Sequence, residues 1–350
     1  MDKRIKILYT IPNFKTAGSQ FVLLSLLRKI DENVFDPYVC VEKFPESVPE
    51  DILEEKRFLF EWTGNKIQDV LNFRRLLKNN KIAIVHSWDY KSNYLEALAA
   101  KLAGVTYVYT KKNNGWSRRW RLKSFFSSHI VYDNPEMKER FFSSWFFKKR
   151  LSFIPHGVDT DIFRPMTAVP HENFNIVCIG NIGANKNQLF LIEALKYLPR
   201  KVVLHLYGKE DKNYRKELDG YIADNNLNSR IFFNGFVDNR GIPEVLSNMD
   251  LFVLTSLNEG LPVSILEALS CGVPVLSSDS GGGAKFILEK GGGYIFDIEA
   301  LENLIKHLIR LVENRNELAS LAKEGRSNIV ANFSIQNELA AYEKLYVKMK

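Results

Sequence analysis

Two glutamates, Glu259 and Glu267, are the residues of this chain whose type and spacing best suit chemistry on a polar ligand. They lie in residues 250–283, a stretch that predicts a buried strand, a loop, a helix, a second strand and a glycine-rich loop. Carboxylates accept hydrogen bonds from neighbouring hydroxyls, which sugars and riboses supply. From these residues alone, a solvated loop glutamate and a glutamate on a helix surface are the more common explanation of the pair.

The loop before the predicted helix suits an anion. Gly260 gives the turn conformational freedom, Pro262 suits the first helical position, and Gly272 suits the C-terminal end. The free N–H groups and positive dipole at such a helix N-terminus attract negative charge. The pattern therefore predicts a site for an anion, such as a diphosphate, in front of the helix, and it places Glu267 about two turns into the helix.

A lysine and a glycine start two other predicted helices. Lys186 follows Gly180, the last residue of a predicted strand, by six positions. An ammonium group there can offset the charge of a departing diphosphate, although most single lysines are simply solvated. Gly18 follows the first strand, and the backbone N–H groups after it suit the same diphosphate. A plain turn glycine is the alternative at that position.

The net charge of +7 is concentrated in one part of the chain. Residues 101–150 contain 12 Lys and Arg against 3 Asp and Glu, which gives +9 there and −2 elsewhere. Cations interleaved with aromatic residues on a helix favour an anionic membrane surface. A core of aromatics beneath ordinary solvated cations is the alternative. The cations considered for this surface are Lys111, Lys112, Arg118, Arg119 and Arg121.

Several classes of protein and site are not expected. The chain lacks an apolar stretch long enough to span a membrane, and its N-terminus reads as a first strand rather than a signal peptide. The spacing of the histidines and cysteines suggests no metal site and no cofactor, and no nucleic-acid-binding module is present. Three cysteines in apolar surroundings indicate reduced thiols and a cytoplasmic protein. Membrane binding by the basic aromatic segment would make it peripheral on the inner face of the membrane.

Short apolar runs alternate with helical patterns throughout the chain, which predicts two doubly wound α/β domains with parallel sheets. The runs are RIKILYTI, PYVCV, IAIVHS, VTYVYT, IVY and LSFI, then NIVCIG, VVLHLYG, IFF, DLFVLT and VPVLSS. A proline-containing linker at 155–175 separates the two sets. We predict an N-terminal domain at 1–165, a C-terminal domain at 166–332, and a terminal helix at 333–350 that packs back on the first domain.

The segment 250–283 resembles the signature of the family 4 retaining glycosyltransferases, E-G-x-P…E-A…G-x-P-V. The matching residues are Glu259, Gly260, Pro262, Glu267, Ala268, Gly272, Pro274 and Val275. The resemblance implies a GT-B architecture, in which two Rossmann-like domains face a central cleft. It implies that Glu259 contacts the donor sugar near its reacting carbon and that Glu267 holds the ribose hydroxyls. It also implies that the backbone of Leu261, Pro262 and Val263 faces the phosphates.

Other segments extend the resemblance with substitutions. The family pattern G-R-x-x-x-x-K is met by Gly180 and Lys186, but Asn181 replaces the arginine, so Lys186 would carry more of the diphosphate charge. The backbone after Gly235, at Phe236, corresponds to the place that cradles the base. On the acceptor side, Trp88 stands where many relatives carry a histidine. An aromatic ring there suits stacking on a sugar or packing in the core.

The resemblance implies a metal-independent hexosyltransferase that uses a nucleoside-diphosphate sugar, with a UDP-sugar favoured. The expected acceptor is a hydroxyl of a lipid-linked or cell-surface glycan precursor, and the anomeric configuration is expected to be retained. A phosphorylase and a nucleotide-sugar epimerase are rival enzymes on the same architecture. A degenerate homologue that binds a sugar nucleotide or a partner transferase without catalysis is the other alternative, kept open by Asn181, Lys285 and Trp88.

Overall fold

A computed structural model describes residues 4–15, 18–88 and 91–350 of the chain. The chain divides into two compact units. Unit 1 comprises Met1–His156 and Gln336–Lys350, and unit 2 comprises Gly157–Ile335. The three cysteines are buried free thiols, as expected from their apolar surroundings.

Unit 1 is built on a parallel sheet of seven strands in the part of the chain that the structure describes. The strands are β1 (Ile5–Ile11), β2 (Phe35–Val41), β3 (Arg57–Leu59), β4 (Ile84–Ser87), β5 (Thr106–Lys111), β6 (His129–Tyr132) and β7 (Leu151–Phe153). The helices that connect them are α1 (Ser19–Lys29), α2 (Lys66–Asn79), α3 (Tyr94–Ala103), α4 (Arg118–Phe126) and α5 (Glu136–Phe142). Short 3-10 helices lie at Pro45–Ser47, Glu54–Lys56 and Trp145–Arg150.

Unit 2 contains a second parallel sheet, of six strands among its described residues. The strands are β8 (Phe174–Ile179), β9 (Val202–Tyr207), β10 (Ile231–Phe233), β11 (Leu251–Leu254), β12 (Val275–Ser278) and β13 (Gly293–Phe296). The helices are α6 (Gln188–Leu195), α7 (Lys212–Asp224), α8 (Ile242–Ser247), α9 (Val263–Ser270), α10 (Gly283–Leu288), α11 (Leu301–Glu313) and α12 (Arg315–Asn332). A 3-10 helix, Asn239–Gly241, precedes α8. The last helix of the chain, α13 (Ile335–Met349), belongs to unit 1 except for its first residue.

Apolar side chains alternate between the two faces of the unit 2 sheet. On β8, Ile176 and Cys178 join the core beneath one face, whereas Val177 and Ile179 join the core beneath the other. Because both faces are covered, the strands must be apolar nearly throughout, which is typical of parallel sheets. This continuous apolarity is the reason that short hydrophobic runs identify the strands in the sequence.

The two sheets share one topology. Their strand orders are β3-β2-β1-β4-β5-β6-β7 and β10-β9-β8-β11-β12-β13. The order reverses beside the first strand of each sheet, between β1 and β4 and between β8 and β11. Open α/β sheets bind ligands beyond the carboxyl ends of the strands at such a switch point. The predicted class, two doubly wound α/β units, is confirmed.

The division between the units falls earlier than the predicted boundary at 165/166. The chain from Gly157 onward pairs with the end of unit 2, since Val158 N–H donates to Phe333 O at 2.9 Å and Ile335 N–H donates to Val158 O at 2.9 Å. Phe163 is buried in the unit 2 core. The second division lies at 335/336, three residues beyond the predicted 332/333.

All eleven predicted runs form strands, and two further strands lie at sheet edges. β3 has the sequence RFL, and β13 has the sequence GYIF. Their short apolar content gives little signal in the sequence. At Gly293 a side chain is excluded, because a Cβ there would lie 1.8 Å from Val275 O on β12. A strand that needs a glycine for close pairing does not show the usual apolar run.

The terminal helix α13 is tied to the unit 1 sheet by a buried chain of hydrogen bonds. Tyr9 OH donates to Tyr346 OH at 3.1 Å, and the Tyr346 hydroxyl is hydrogen-bonded to His86 Nδ1 at 2.6 Å. The other ring nitrogen, His86 Nε2, is hydrogen-bonded to Thr110 Oγ1 at 2.8 Å, and Thr110 Oγ1 is hydrogen-bonded to Tyr342 OH at 2.9 Å. Burial holds the pKa of His86 well below its usual range, with help from the nearby charges of two lysines, so the ring is neutral.

Replacing Tyr346 by phenylalanine should destabilise the protein by about 1–3 kcal/mol. The variant removes one hydroxyl and leaves His86 Nδ1 and Tyr9 OH buried without this partner. Denaturant unfolding followed by circular dichroism measures the change. Tyr197→Phe is the control, because Tyr197 is 60% exposed and should tolerate the change. Equal stability of the two variants would contradict a role for this chain of hydrogen bonds in holding α13.

Candidate functional site

The loops after β8 and β11 form the candidate site of unit 2. They leave neighbouring strands at the point where the strand order reverses. The first loop carries Gly180, Asn181 and Lys186, and the second carries Glu259 and Gly260. Topology alone therefore brings the two predicted catalytic residues to one edge of one sheet.

A buried glutamine shapes the loop after β8. Gln188, the first residue of α6, accepts a hydrogen bond from Gly183 N–H at 3.2 Å and donates one to Asn181 O at 3.1 Å. The loop closes further through Lys186 N–H, which donates to Gly183 O at 2.9 Å. The Asn181 side chain is exposed, and Gly180 is partly exposed. These bonds fix where the Lys186 side chain begins.

Direct hydrogen bonds join the two loops. Leu257 N–H donates to Asn185 O at 2.8 Å, and the Asn185 side chain donates to Asn258 O at 3.1 Å. The Thr255 hydroxyl donates to Lys186 O at 2.9 Å. The loops therefore form one unit of backbone, and their relative position does not depend on the long side chains they carry.

Lys186 and Glu259 form an ion pair, with Lys186 Nζ 2.6 Å from Glu259 Oε1. The side chains keep 21% and 18% of their exposure, so solvent and ligands reach both. A partly exposed pair of this kind contributes only about 1 kcal/mol or less. An anionic ligand with several phosphate oxygens can therefore compete for the ammonium group.

The glycine-rich loop after β12 lies against the loop of Glu259. Glu259 N–H donates to Ser280 O at 2.8 Å. A Cβ on Gly283 would lie 1.9 Å from Gly260 O, so no other residue type fits without moving the backbone. Pro262 was predicted to be the first residue of this helix. Helix α9 begins at Val263 instead, and Pro262 is its N-cap. Leu261 is buried, whereas Val263 is partly exposed.

Glu267 is buried one turn into α9, nearer the helix start than the predicted two turns. Its Oε1 accepts a hydrogen bond from Asn239 Nδ2 at 3.0 Å. Burial raises the pKa of Glu267 to about 8, against a smaller lowering by this hydrogen bond. The group is therefore a neutral carboxylic acid at pH 7, able to donate as well as accept.

Phe236 lies farther along the same carboxyl edge, in the loop after β10. Its ring is 49% exposed, and Lys209 Nζ lies 5.1 Å from the ring centroid. Gly208 N–H donates to Gly235 O at 2.8 Å, which ties this loop to the end of β9. An exposed ring on a fixed loop suits a planar ligand group.

In unit 1 the structure buries three of the residues predicted to face an acceptor or a membrane. Trp88 is fully buried and donates its indole N–H to Ser19 O at 2.7 Å, so it packs in the core rather than stacking on a sugar. Lys111 is buried, donates to Asn113 Oδ1 at 2.6 Å, and lies 4.2 Å from the Trp120 ring centroid. Lys112 is buried beside Trp88 and donates to its backbone carbonyl.

These positions correct the prediction that Lys111 and Lys112 belong to one basic surface with the arginines at 118, 119 and 121. Desolvation lowers the pKa of Lys111 to about 7, which is unfavourable for a cation meant to meet a membrane. The arginines of α4 behave differently, since Arg118, Arg119 and Arg121 are all exposed. Gly18 is the N-cap of α1 with φ 81, a conformation that favours glycine.

Sequence reasoning missed the residues that hold the site together. Asn239 orients Glu267, and Thr255 and Asn185 join the loops, yet single polar residues in loops give no distinctive signal. The hydroxyls of Ser256 and Ser280 are buried at the same edge without a hydrogen-bond partner among the described residues. Within residues 4–15, 18–88 and 91–350, no group of three His, Cys, Asp or Glu side chains is arranged to hold a metal ion.

Two family models match the chain. The model described as "Glycosyl transferases group 1" matches residues 159–328, and the model described as "Glycosyltransferase Family 4" matches residues 16–162. The first therefore covers almost all of unit 2, and the second covers most of unit 1 before α13.

Two relatives with named activities match about three quarters or more of the chain. A UDP-Gal:α-D-GlcNAc-diphosphoundecaprenol α-1,3-galactosyltransferase of Escherichia coli is 27% identical over 81% of this chain and 80% of its own. A GDP-mannose-dependent α-(1-6)-phosphatidylinositol monomannoside mannosyltransferase of Mycobacterium tuberculosis is 25% identical over 75% of each chain. Among solved structures, HepE of Anabaena in complex with UDP has a TM-score of 0.83 at 18% identity, over 98% of this chain and 100% of its own.

Replacing Glu267 by glutamine should flatten the pH dependence of stability and stabilise the protein at pH 8. The folded protein keeps a proton on Glu267 up to about pH 8, whereas a glutamate in the unfolded chain loses it near its ordinary value of 4.5. The free energy of unfolding therefore falls as pH rises between these values, and a neutral amide removes that loss. Thermal unfolding between pH 5 and 8 measures it.

The exposed Glu244→Gln serves as the control for this experiment, because its side chain lies on the surface of α8. It should leave the pH profile of the unfolding temperature unchanged. A Glu267→Gln profile that runs parallel to the wild type would show that Glu267 is ionised in the folded protein.

Proposed function

Since the chain belongs to the family 4 glycosyltransferases and has the GT-B fold, we propose that it transfers a hexosyl unit from a UDP-sugar to a hydroxyl of a lipid-linked or cell-surface glycan precursor, with retention of configuration. The observation that carries this proposal is the Lys186–Glu259 pair at the switch point of unit 2, 2.6 Å apart and open to ligands. The proposed cation for the diphosphate and the proposed carboxylate for the sugar thus lie at the same edge of the unit 2 sheet.

The proposed reaction breaks the bond between the anomeric carbon and the diphosphate oxygen, whose electron pair stays on UDP. The acceptor oxygen attacks from the same face and forms the new glycosidic bond, and its proton passes to the departing diphosphate oxygen. Lys186 offsets the growing charge on the diphosphate, aided by the N–H groups at the start of α9. No metal and no cofactor take part in this proposal, so turnover is expected to continue in EDTA.

Glu259 changes partner in this proposal. When the diphosphate takes up the Lys186 ammonium group, the Glu259 carboxylate is released toward the donor sugar. A carboxylate there accepts hydrogen bonds from sugar hydroxyls and stabilises positive charge that develops at the anomeric carbon. The backbone of Gly260, Leu261, Pro262 and Val263 is proposed to face the phosphates.

The nucleoside is proposed to lie along the same edge. Glu267, held by Asn239, receives the ribose hydroxyls, and the exposed ring of Phe236 lies where the base is expected. Asn181 offers hydrogen bonds to the diphosphate without a charge. Gly18 is proposed to contribute backbone N–H groups to the same diphosphate. We favour UDP because the E. coli relative, which is named for UDP-Gal, is more similar to this chain over a larger share of it than the M. tuberculosis relative, which is named for GDP-mannose.

We further propose that unit 1 docks on an anionic membrane from the cytoplasmic side. Its exposed aromatic patch comprises Phe125, Trp145 and Phe146, of which Trp145 is 80% exposed. Phe125 stacks on Phe146 with 5.7 Å between ring centroids, and the ring centroids of Trp145 and Phe146 are 6.3 Å apart. Aromatic side chains of this exposure are unusual on a protein surface and suit a bilayer interface.

Cations surround this aromatic patch. Lys101 Nζ lies 5.3 Å from the Phe125 ring centroid, and the exposed Lys148 and Lys149 follow Phe146 in the chain. On α4, Arg121 lies one turn before Phe125 on the same exposed face. Each basic residue near an anionic surface contributes about 1 kcal/mol. In the described residues, no helix has both the length and the apolarity to cross a bilayer.

Thermal shift against UDP, GDP and ADP, followed by turnover of UDP-sugars, tests the donor site. UDP at about 100 times its dissociation constant should add about 2.7 kcal/mol to the free energy of unfolding. Lys186→Gln should lose most of this shift, and Lys186→Gln and Glu259→Gln should each lower turnover by about 10²-fold.

The control is Lys201→Gln, because Lys201 is exposed and lies at the opposite, amino end of the unit 2 strands. A thermal shift with GDP but not with UDP would show that the donor carries guanine rather than uracil. Binding without turnover in the wild type would favour a homologue that binds sugar nucleotides without catalysis. Wild-type turnover in either site variant would refute that residue's role.

Flotation with vesicles tests the membrane proposal. The protein should float with vesicles that contain anionic phospholipid and stay in solution with purely zwitterionic vesicles. Trp145→Ser combined with Phe125→Ser should lower the bound fraction at least tenfold, because it removes the aromatic patch. Val169→Ser, at a residue of unit 2 that is 67% exposed, should bind as the wild type does. Equal flotation of all variants would contradict docking through this patch.

A further inference from the structure

A single buried hydroxyl contacts the backbone on which the proposed phosphate-binding lysine stands. Thr255 directly follows β11 and is fully buried. Its hydroxyl donates to the backbone carbonyls of Lys186 and Asn187, at 2.9 Å each. A hydroxyl has only one hydrogen, so the two carbonyls share it. Thr255 therefore joins the end of β11 to the turn that carries Lys186.

Asn187 turns the chain sharply after Lys186. Its backbone has φ 50 and ψ 45, in the left-handed region that is unfavourable for most residues with a side chain. It is also the N-cap of α6, a position that is usually extended, and its side chain makes no capping hydrogen bond. Such a conformation persists where the surrounding structure holds it. The hydrogen bond from Thr255 to the Asn187 carbonyl is one such constraint.

Backbone hydrogen bonds close this turn from within. Lys186 N–H and Asn187 N–H both donate to Gly183 O, at 2.9 and 3.2 Å, and Phe190 N–H donates to Asn187 O at 3.2 Å. These bonds stay inside the loop after β8 and the first turn of α6. The Thr255 hydroxyl comes from the neighbouring strand, so it fixes the turn relative to the sheet.

The Lys186 side chain runs from the turn to Glu259 along the backbone of Gly180. A Cβ on Gly180 would lie 3.1 Å from Lys186 Cε, so the lysine chain lies against the end of β8. At its tip, Nζ lies 2.6 Å from Glu259 Oε1. Because the lysine stem is long and flexible, the direction in which it leaves the backbone decides which positions the ammonium group favours.

We propose that Thr255 is a positioning residue for the sugar transfer, an inference that rests on the proposed function. By holding the carbonyls of Lys186 and Asn187, its hydroxyl sets the direction of the Lys186 side chain. The ammonium group is thereby kept where negative charge develops on the departing diphosphate. Threonine suits this task because its branched Cβ restricts the side chain to few rotamers, so the hydroxyl is in place before the donor binds.

Release of UDP from a sugar donor, with water as the acceptor, tests the proposal. The donors are UDP-galactose, UDP-glucose and UDP-N-acetylglucosamine, and the variants are compared on the donor that the wild type turns over fastest. Thr255→Val keeps the shape of the side chain and removes the hydroxyl. It should lower kcat about tenfold, because small misplacements of a catalytic group are costly. Thr255→Ser keeps the hydroxyl and should restore most of the wild-type kcat.

The KM for the donor gives a second readout. Thr255→Val should change KM less than about threefold, because the lysine still reaches the bound diphosphate and the loss falls on the transition state. A loss confined to KM, with kcat unchanged, would contradict the proposed role.

A further pair of variants shows whether Thr255 acts through Lys186. In the Lys186→Gln background, Thr255→Val should lower kcat less than about twofold, since residues that act as a unit have non-additive effects. A loss of about tenfold that persists without the lysine would show that the hydroxyl only maintains the fold, and it would overturn the proposal.

Ser270→Ala is the matched control. Ser270 is also buried in unit 2, and its hydroxyl donates to the backbone carbonyl of Phe163 at 2.6 Å. It is the last residue of α9, whereas the diphosphate is proposed to face the first turn of that helix. The variant should unfold at lower denaturant concentration and keep the wild-type kcat. If it lowers kcat as much as Thr255→Val does, the effect at Thr255 reflects stability and the proposal fails.

The same assay separates this inference from the proposed function. Wild-type turnover that falls about 10²-fold in Lys186→Gln but is unchanged in Thr255→Val overturns the role of Thr255 alone. No release of UDP by the wild type from any of the three donors overturns the proposed function, and the role of Thr255 fails with it.

Discussion

The proposed donor site depends on two places where backbone packs against backbone with no side chain between them. A Cβ on Gly283 would lie 1.9 Å from Gly260 O, and one on Gly208 would lie 2.0 Å from Gly180 O. These approaches bring the loops after β12 and β9 against the loops that carry Glu259 and Lys186. Because backbone contacts are rigid, the two charged groups meet at a position set by the sheet rather than by their own flexibility.

The basic segment of unit 1 shows what a sequence pattern leaves undecided. Lys111, Lys112 and Lys123 are buried among aromatic rings, whereas Arg118 and Arg121 on the same stretch face solvent. A segment with all of its cations on the surface and one with some of them in the core have the same charge and aromatic content. The helical phase of α4, with Trp120 and Lys123 on its buried face, assigns the cations of that helix to the core or the surface, whereas Lys111 and Lys112 are buried at the end of β5. The predicted surface was therefore wrong for Lys111 and Lys112.

The sequence predicts most of the fold because parallel strands that are covered on both faces must be apolar. Eleven of the thirteen described strands coincide with apolar runs in the sequence. It also predicts that Glu259 and Lys186 belong to one edge, since both follow strands at a switch point. The sequence does not reveal the contacts of Asn239 or Thr255. Each is a single polar residue whose importance depends on a partner far away in the chain.

The charges of unit 2 explain how a site can await an anion without being strongly cationic. Lys186 is matched by Glu259, and Glu267 is neutral at pH 7 because burial raises its pKa to about 8. A diphosphate that displaces Glu259 from Lys186 replaces one ion pair by another, so little is lost in an environment that is still partly solvated. In the proposed reaction, the displaced carboxylate then faces the sugar. Ligand binding and the placement of Glu259 are thus one event, and a substitution of either partner affects both.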